Sequence, residues 1–454
     1  MTSARRAAAD VLIALETGRD TLSTEVDRAR RGLADERDRA LLLELASGVM
    51  RWRAELDAAL DPCVTRPRAE IDPAVLTILR LAAYQLRHLD RIPPHAVLNE
   101  AVELTRELGQ PRAAGFVNAA LRTLQRRKDK HDLPGRPASL GDLPAWSSYL
   151  ATTLSHPAWL VERWMARHGV EAAERWCAFD NRPPTLTVHA ASGHGSDLGA
   201  VFTDAGVSAE PSAFVLDAWR LPPGALGRLP DPLRATLLVQ DEASLIVAHL
   251  VGAKPGESIL DLCAAPGGKS IVIARDMAAS GCLISCDTRS RRVRLLRSVL
   301  TQADVTPRIV CLNGTRPLPF AGVFDRVLVD APCSGLGTLA RDPDIRWRRQ
   351  PADLPRLAAT QLQLLRMAAS VVKPGGRLVY ATCSGEPEET HEVVEAFLEG
   401  DAAFARVPVT ETAVVHGVKE ANTLLDDKGD LRTWPFAHGL DAFYAAVLVR
   451  REAT

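Results

Sequence analysis

Two cysteines follow short apolar runs of strand character: Asp330-Ala331-Pro332-Cys333-Ser334-Gly335 comes after residues 327–329, and Ala381-Thr382-Cys383-Ser384 after residues 378–380. An ionised thiol is a strong nucleophile, and its reactivity follows its protonation state. Two thiols and an acid suit covalent activation of a pyrimidine. One sulfur adds to carbon 6 of a cytosine, carbon 5 becomes nucleophilic enough to take an electrophilic methyl, and the sulfur then leaves. Asp330 can support the charge that develops along the nitrogen edge of such a ring. The remaining thiols Cys63, Cys177, Cys282, Cys286 and Cys311 are read as small buried hydrophobes.

A second constellation lies upstream. Ile259-Leu260-Asp261-Leu262 reads as a buried strand, Cys263-Ala264-Ala265-Pro266-Gly267-Gly268 as a loop of small residues, and Lys269-Ser270 as the opening of a helix. Small side chains let a backbone approach a ligand closely, and open α/β sheets bind ligands at the carboxyl ends of their strands. The glycine spacing differs from that of a triphosphate-binding loop, so ATP is disfavoured. The next strand ends at Asp287, about 20 residues on, where a carboxylate commonly accepts the ribose hydroxyls of a nucleoside.

These residues need a parallel sheet behind them. From residue 239 onward, strand-like runs at 258–262, 283–287, 308–312, 326–330 and 377–382 alternate with helices, the pattern of a doubly wound α/β domain. Residues 1–130 are helical throughout, with prolines falling between the periodic segments. A linker is expected over 131–150, a small α+β domain over 151–235 and the Rossmann-like domain over 236–452. At 454 residues the chain is long enough for several cores. With 46% hydrophobic residues, 24% charged and a net charge of −1, its composition is that of a globular protein without a global nucleic-acid signature. No apolar run reaches the roughly 20 residues of a membrane span, and no signal peptide is readable, so a cytoplasmic chain is expected. The eight cysteines show no zinc spacing, and no metal is expected.

The block Asp261-Leu262-Cys263-Ala264-Ala265-Pro266-Gly267-Gly268-Lys269, with Asp330-Ala331-Pro332-Cys333 and Thr382-Cys383-Ser384 downstream and Pro387-Glu388-Glu389 just after, closely resembles the NOL/NOP/Sun family of RNA 5-methylcytosine methyltransferases. The resemblance implies S-adenosylmethionine as cofactor, held by residues 263–269, Asp287, Asn313 and Asp330. It also implies Cys383 as nucleophile and Cys333 as the thiol that assists product release. DNA cytosine methyltransferases use the other thiol. Asn313 departs from the family's usual acid and lacks its charge, although it can still hydrogen-bond. The amino-terminal segments at 78–86, 95–104 and 115–124 resemble a NusB-type RNA-binding domain. Fused to this catalytic domain, they imply small-subunit (16S) ribosomal RNA as the partner.

A cytosine must be unpaired or flipped out to reach a thiol in a pocket. Arg341, Arg346, Trp347, Arg348 and Arg349 combine phosphate-binding charge with a ring on which a base can stack, and the first four are the leading RNA-contact candidates. Further basic runs lie at Arg126, Arg127, Lys128 and Lys130, and from Arg289 to Arg297. Three alternatives stand beside this reading: a transfer-RNA enzyme of the same chemistry, a DNA cytosine methyltransferase, and a non-catalytic RNA-binding or antitermination factor. Intact Cys333 and Cys383 argue against the last.

Overall fold

A computed structural model describes residues 3–452 except 19, 128–132, 191–197, 279, 304, 307, 321–323 and 411–416. Lys128 and Lys130 therefore lie outside the described residues. The chain divides into two compact units, Met1–Pro183 with Leu339–Arg349, and Pro184–Thr338 with Gln350–Thr454.

The first unit is helical. Its amino-terminal helices include Ala4–Glu16, Leu22–Arg30, Glu36–Arg51, Pro73–His88, Pro94–Glu107 and Ala114–Arg126. Side-chain caps start several of them: Ser3 accepts from the Arg6 N–H, Thr21 from Thr24, and Asp72 from Ala74 just before Pro73. Their apolar faces close over one core that includes Leu42, Leu45, Leu56, Ile78, Leu79 and Val117. Helices Ala158–His168 and Val170–Asp180, expected with the small α+β domain, group instead with this unit. The physical reason is burial: Trp164 and Trp176 stack at 4.1 Å, and both are interior. The expected linker contains a helix of its own, Leu143–Ser148, anchored by buried Trp146.

In the second unit, β1 (Leu186–Ala190), β2 (Glu210–Pro211), β3 (Ala218–Leu221) and β4 (Leu237–Val239) form an antiparallel sheet in the order β2-β3-β1-β4. The larger sheet comprises β5 (Ser258–Asp261), β6 (Cys282–Asp287), β7 (Arg308–Cys311), β8 (Phe324–Asp330), β9 (Val372–Thr382), β10 (Phe404–Val407), β11 (Leu431–Arg432) and β12 (Tyr444–Arg450). Its order is β10-β12-β9-β8-β5-β6-β7, with β11 beside β12. Strands β5 to β9 are parallel, whereas β10, β11 and β12 pair antiparallel, so the sheet is mixed rather than wholly parallel. Successive residues of β5 serve opposite faces. Ile259 enters one core and Leu260 the other, which explains its continuous apolar run. The chain leaves β5 toward β6 on one side, and β8 lies on the other. The loops after β5 and β8 therefore flank the topological switch point, where ligands of such sheets bind.

Candidate active site

The two cysteines predicted to react are brought together. Cys333, after β8, and Cys383, after β9, place their sulfurs 3.1 Å apart. Backbone pairing holds the loops in register: the Ala331 N–H donates to the Ala381 carbonyl at 2.8 Å, and the Gly337 N–H to the Cys383 carbonyl at 3.1 Å. Gly337 is required there, because a Cβ would sit 2.0 Å from the Ala442 carbonyl oxygen. The hydrogen bond with the Cys383 sulfur, together with burial and the nearby Glu389 charge, pushes the Cys333 thiol well above its usual range. Cys333 keeps its proton.

Asp330, at the end of β8, receives a 2.6 Å hydrogen bond from Lys269 Nζ. Burial opposes the lysine's charge, but this carboxylate raises its pKa above the ordinary 10.5. The ammonium also lies 5.7 Å from the centre of the Phe443 ring. Lys269, predicted as a cofactor contact, is thus paired with the acid.

The small-residue loop runs from Cys263 to Gly268 between β5 and helix Gly268–Asp276, with a cis peptide joining Ala265 to Pro266. Gly267 adopts φ +124°, a conformation open chiefly to glycine. Asp287 Oδ2 accepts from the Ala265 N–H and from Arg292, while Oδ1 accepts from the Thr288 N–H. Burial, then the charges of Asp261, Asp330 and Asp287, push the Cys263 thiol well above its usual range, so it is protonated. Asn313 is exposed, and its side-chain oxygen closes a local turn onto Thr315.

Asp261 was quoted in the sequence motif without a role. Its Oδ2 accepts from the Ser270 hydroxyl at 2.6 Å, and its buried Oδ1 has no hydrogen-bond partner among the described residues. An acid at the carboxyl end of the strand before a small-residue loop was the available signal. Burial raises its pKa from 3.8 to about 7. Because the folded state binds this proton more tightly than the unfolded chain, the stability the group contributes is complete below pH 3.8 and is lost as pH rises through about 7. Wild-type protein should therefore lose several degrees of Tm relative to Asp261→Asn as the pH rises from about 4 to about 8. Parallel Tm curves for the two proteins would refute this.

The proposed RNA contacts divide. Arg346 is fully buried within the first unit. Its Nη1 donates to the carbonyls of Arg51 and Ser155 and to Asn181 Oδ1, and its Nη2 to the carbonyls of Asp180 and Leu339. Trp347 packs against the helical core and donates from Nε1 to the Met50 carbonyl at 2.6 Å. Arg346 is not placed to meet a phosphate: its charge suggested a surface, but it builds an interior, while Trp347 is half-buried against that core. Arg348 is exposed and pairs with Asp344, and Arg341 is half-buried. In the helix Ser290–Gln302, Val293, Leu296 and Leu300 are buried while Arg291, Arg294 and Arg297 face outward.

Together, the mixed sheet, the small-residue loop at its switch point and the strand-end acids define a Rossmann-like domain of the S-adenosylmethionine-dependent methyltransferase class. A profile described as 16S rRNA methyltransferase RsmB/F matches residues 248–449, and one described as the NusB family matches residues 2–126. The chain is 35% identical over 454 residues to the probable ribosomal RNA small subunit methyltransferase B of Bacillus subtilis, covering 98% of each protein. It is 32% identical over 460 residues to ribosomal RNA small subunit methyltransferase B of Erwinia tasmaniensis, covering 99% of each. The crystal structure of PH0851 shares the fold across 99% of both chains, with a TM-score of 0.80 at 22% identity. The chain belongs to the 16S rRNA methyltransferase RsmB/F family, with an amino-terminal NusB domain.

Proposed function

We propose that this protein methylates carbon 5 of a cytosine in small-subunit ribosomal RNA, through a covalent bond between Cys383 and the base. The observation that carries the reading is the pair of sulfurs 3.1 Å apart at the carboxyl ends of two neighbouring strands, beside the Asp330–Lys269 pair. The names of the relatives support the RNA class.

The donor set suits S-adenosylmethionine. The unpartnered Asp261 Oδ1, the Asp287 carboxylate and the backbone of the small-residue loop are complementary to an amino group and ribose hydroxyls. Residues 263–269, Asp287, Asn313 and Asp330 would hold it. When bound, it supplies an electrophilic methyl group. Cys383 Sγ bonds to carbon 6, and the electron pair of the 5,6 double bond becomes the nucleophile at carbon 5. Loss of the carbon 5 proton to a base then restores the double bond and expels the sulfur. Cys333, protonated and adjacent, stabilises the departing thiolate by donating a hydrogen bond to it. Asp330, held by Lys269, supports the ring's nitrogen edge. Arg341 and Arg348 remain candidate phosphate contacts.

The test is incubation with radiolabelled S-adenosylmethionine and unmodified 16S rRNA, beside transfer RNA and DNA, followed by mapping of the label. One labelled ribosomal cytosine, lost in Cys383→Ala, is the expected result. Label confined to transfer RNA or DNA would refute the substrate, and none on any nucleic acid would favour a scaffold.

A further inference from the structure

Glu389 touches none of the reacting atoms, and its charge has entered so far only as one cause of the raised Cys333 thiol, yet it is fully buried beside both cysteine loops. Its Oε1 accepts from the Ser334 N–H at 2.7 Å and from Gln361 Nε2 at 3.1 Å. Its Oε2 accepts from the hydroxyls of Ser334 at 2.5 Å and Ser384 at 2.7 Å. Ser334 and Ser384 are the residues directly after the two site cysteines, one on each loop. Both hydroxyls are also acceptors, Ser334 Oγ from the Leu336 N–H and Ser384 Oγ from the Glu386 N–H. Glu389 is itself pinned, since its main-chain carbonyl accepts from the hydroxyls of Tyr380 and Thr382. Gln361 completes the frame by donating to the Pro332 carbonyl.

We propose that Glu389 is a positioning residue for the methyl transfer: by binding the residue after each cysteine, one carboxylate sets the spacing at which the two thiols work. This rests on the reading of Cys333 and Cys383 as the reacting pair. Burying a carboxylate is costly unless its oxygens are satisfied, and an apolar contact would join two loops with less desolvation. What an apolar contact cannot do is fix the directions of an N–H and two hydroxyls at once. A two-oxygen acceptor does so.

The test uses full-length protein carrying Glu389→Gln, which keeps the shape but exchanges an acceptor oxygen for a donor, and Ser384→Ala, which removes one tie. Two quantities are measured: kcat and KM for methylation of unmodified 16S rRNA, and the rate at which diamide oxidises Cys333 and Cys383 to a disulfide in the protein alone. The second is read as the loss of two hydrogens in the intact mass, the diamide being reduced to its hydrazine, and it requires close sulfurs. Glu389→Gln should lower kcat about tenfold or more with both KM values unchanged, and should slow disulfide closure even though loss of its charge favours the Cys333 thiolate. Ser384→Ala should move both readouts the same way but less, and the double variant should lose little beyond Glu389→Gln. Wild-type kcat and closure rate in Glu389→Gln would overturn the proposal. So would a fall in kcat accompanied by an unchanged closure rate in Ser384→Ala, which keeps the carboxylate and its effect on Cys333. Should Glu389→Gln fail to fold, an unchanged closure rate in Ser384→Ala overturns it. Because closure is read without RNA or cofactor, it separates failure of this proposal from failure of the methyl-transfer reading.

Discussion

Cys333→Ala should accumulate a protein–RNA adduct that survives denaturing electrophoresis, whereas Cys383→Ala should form none and should lower methyl transfer by about a thousandfold or more. The asymmetry follows from the roles proposed for the two sulfurs. The two sulfurs are 3.1 Å apart, but Cys333 is raised well above the ordinary thiol range by its hydrogen bond to Cys383, by burial and by Glu389. A thiol that holds its proton is a poor nucleophile and a good donor. Removing Cys333 leaves the attacking sulfur intact but takes away the S–H that stabilises it as it departs, so turnover stalls after addition. Removing Cys383 prevents addition altogether. Adduct in Cys383→Ala and none in Cys333→Ala would exchange the two roles.

The second large effect is expected far from the chemistry. Arg346→Ala should destabilise the helical unit by about 3–5 kcal/mol, the range for removing one partner from a buried charged network. The guanidinium is fully buried and donates to four main-chain carbonyls and one side-chain amide, all of which lose their partner together. Arg346→Lys should recover little of this, because a single ammonium cannot reach donors arranged as a planar fork. Urea denaturation gives the stability. The salt dependence of RNA binding supplies the contrast, since a lost phosphate contact lowers the slope by about 0.7–0.9. An unchanged slope with lost stability is the expected outcome. A reduced slope with full stability would return Arg346 to the RNA surface.

The cysteine loops were legible because each motif is local: a short apolar strand, then a thiol within a few residues of its end. The small-residue loop and Asp287 were legible for the same reason, since strand, loop and acid follow one another at the spacing a nucleoside site needs. Asp261 and Glu389 were visible as letters without tasks. Both lie inside motifs, but their tasks are set by partners elsewhere, such as Ser270 for one and Ser334 for the other. Helices Ala158–His168 and Val170–Asp180 are legible as helices, but the unit they group with is not, because periodicity reveals an apolar face but not what covers it.

Residue order alone determined the helical and α/β halves, the sheet strands, and the two thiols and the small-residue loop at the ends of those strands, since all of these are encoded over spans of a few to a dozen residues. Only the tertiary structure decided that the sheet is mixed, that Lys269 serves Asp330, that Arg346 is interior with Trp347 packed beside the same core, and that one carboxylate ties both cysteine loops. Burial and hydrogen-bond pairing join positions remote in the chain, Arg346 with Arg51 across 295 residues and Glu389 with Ser334 across 55. No local pattern of charge or hydropathy records such a meeting; it exists only once the chain has folded.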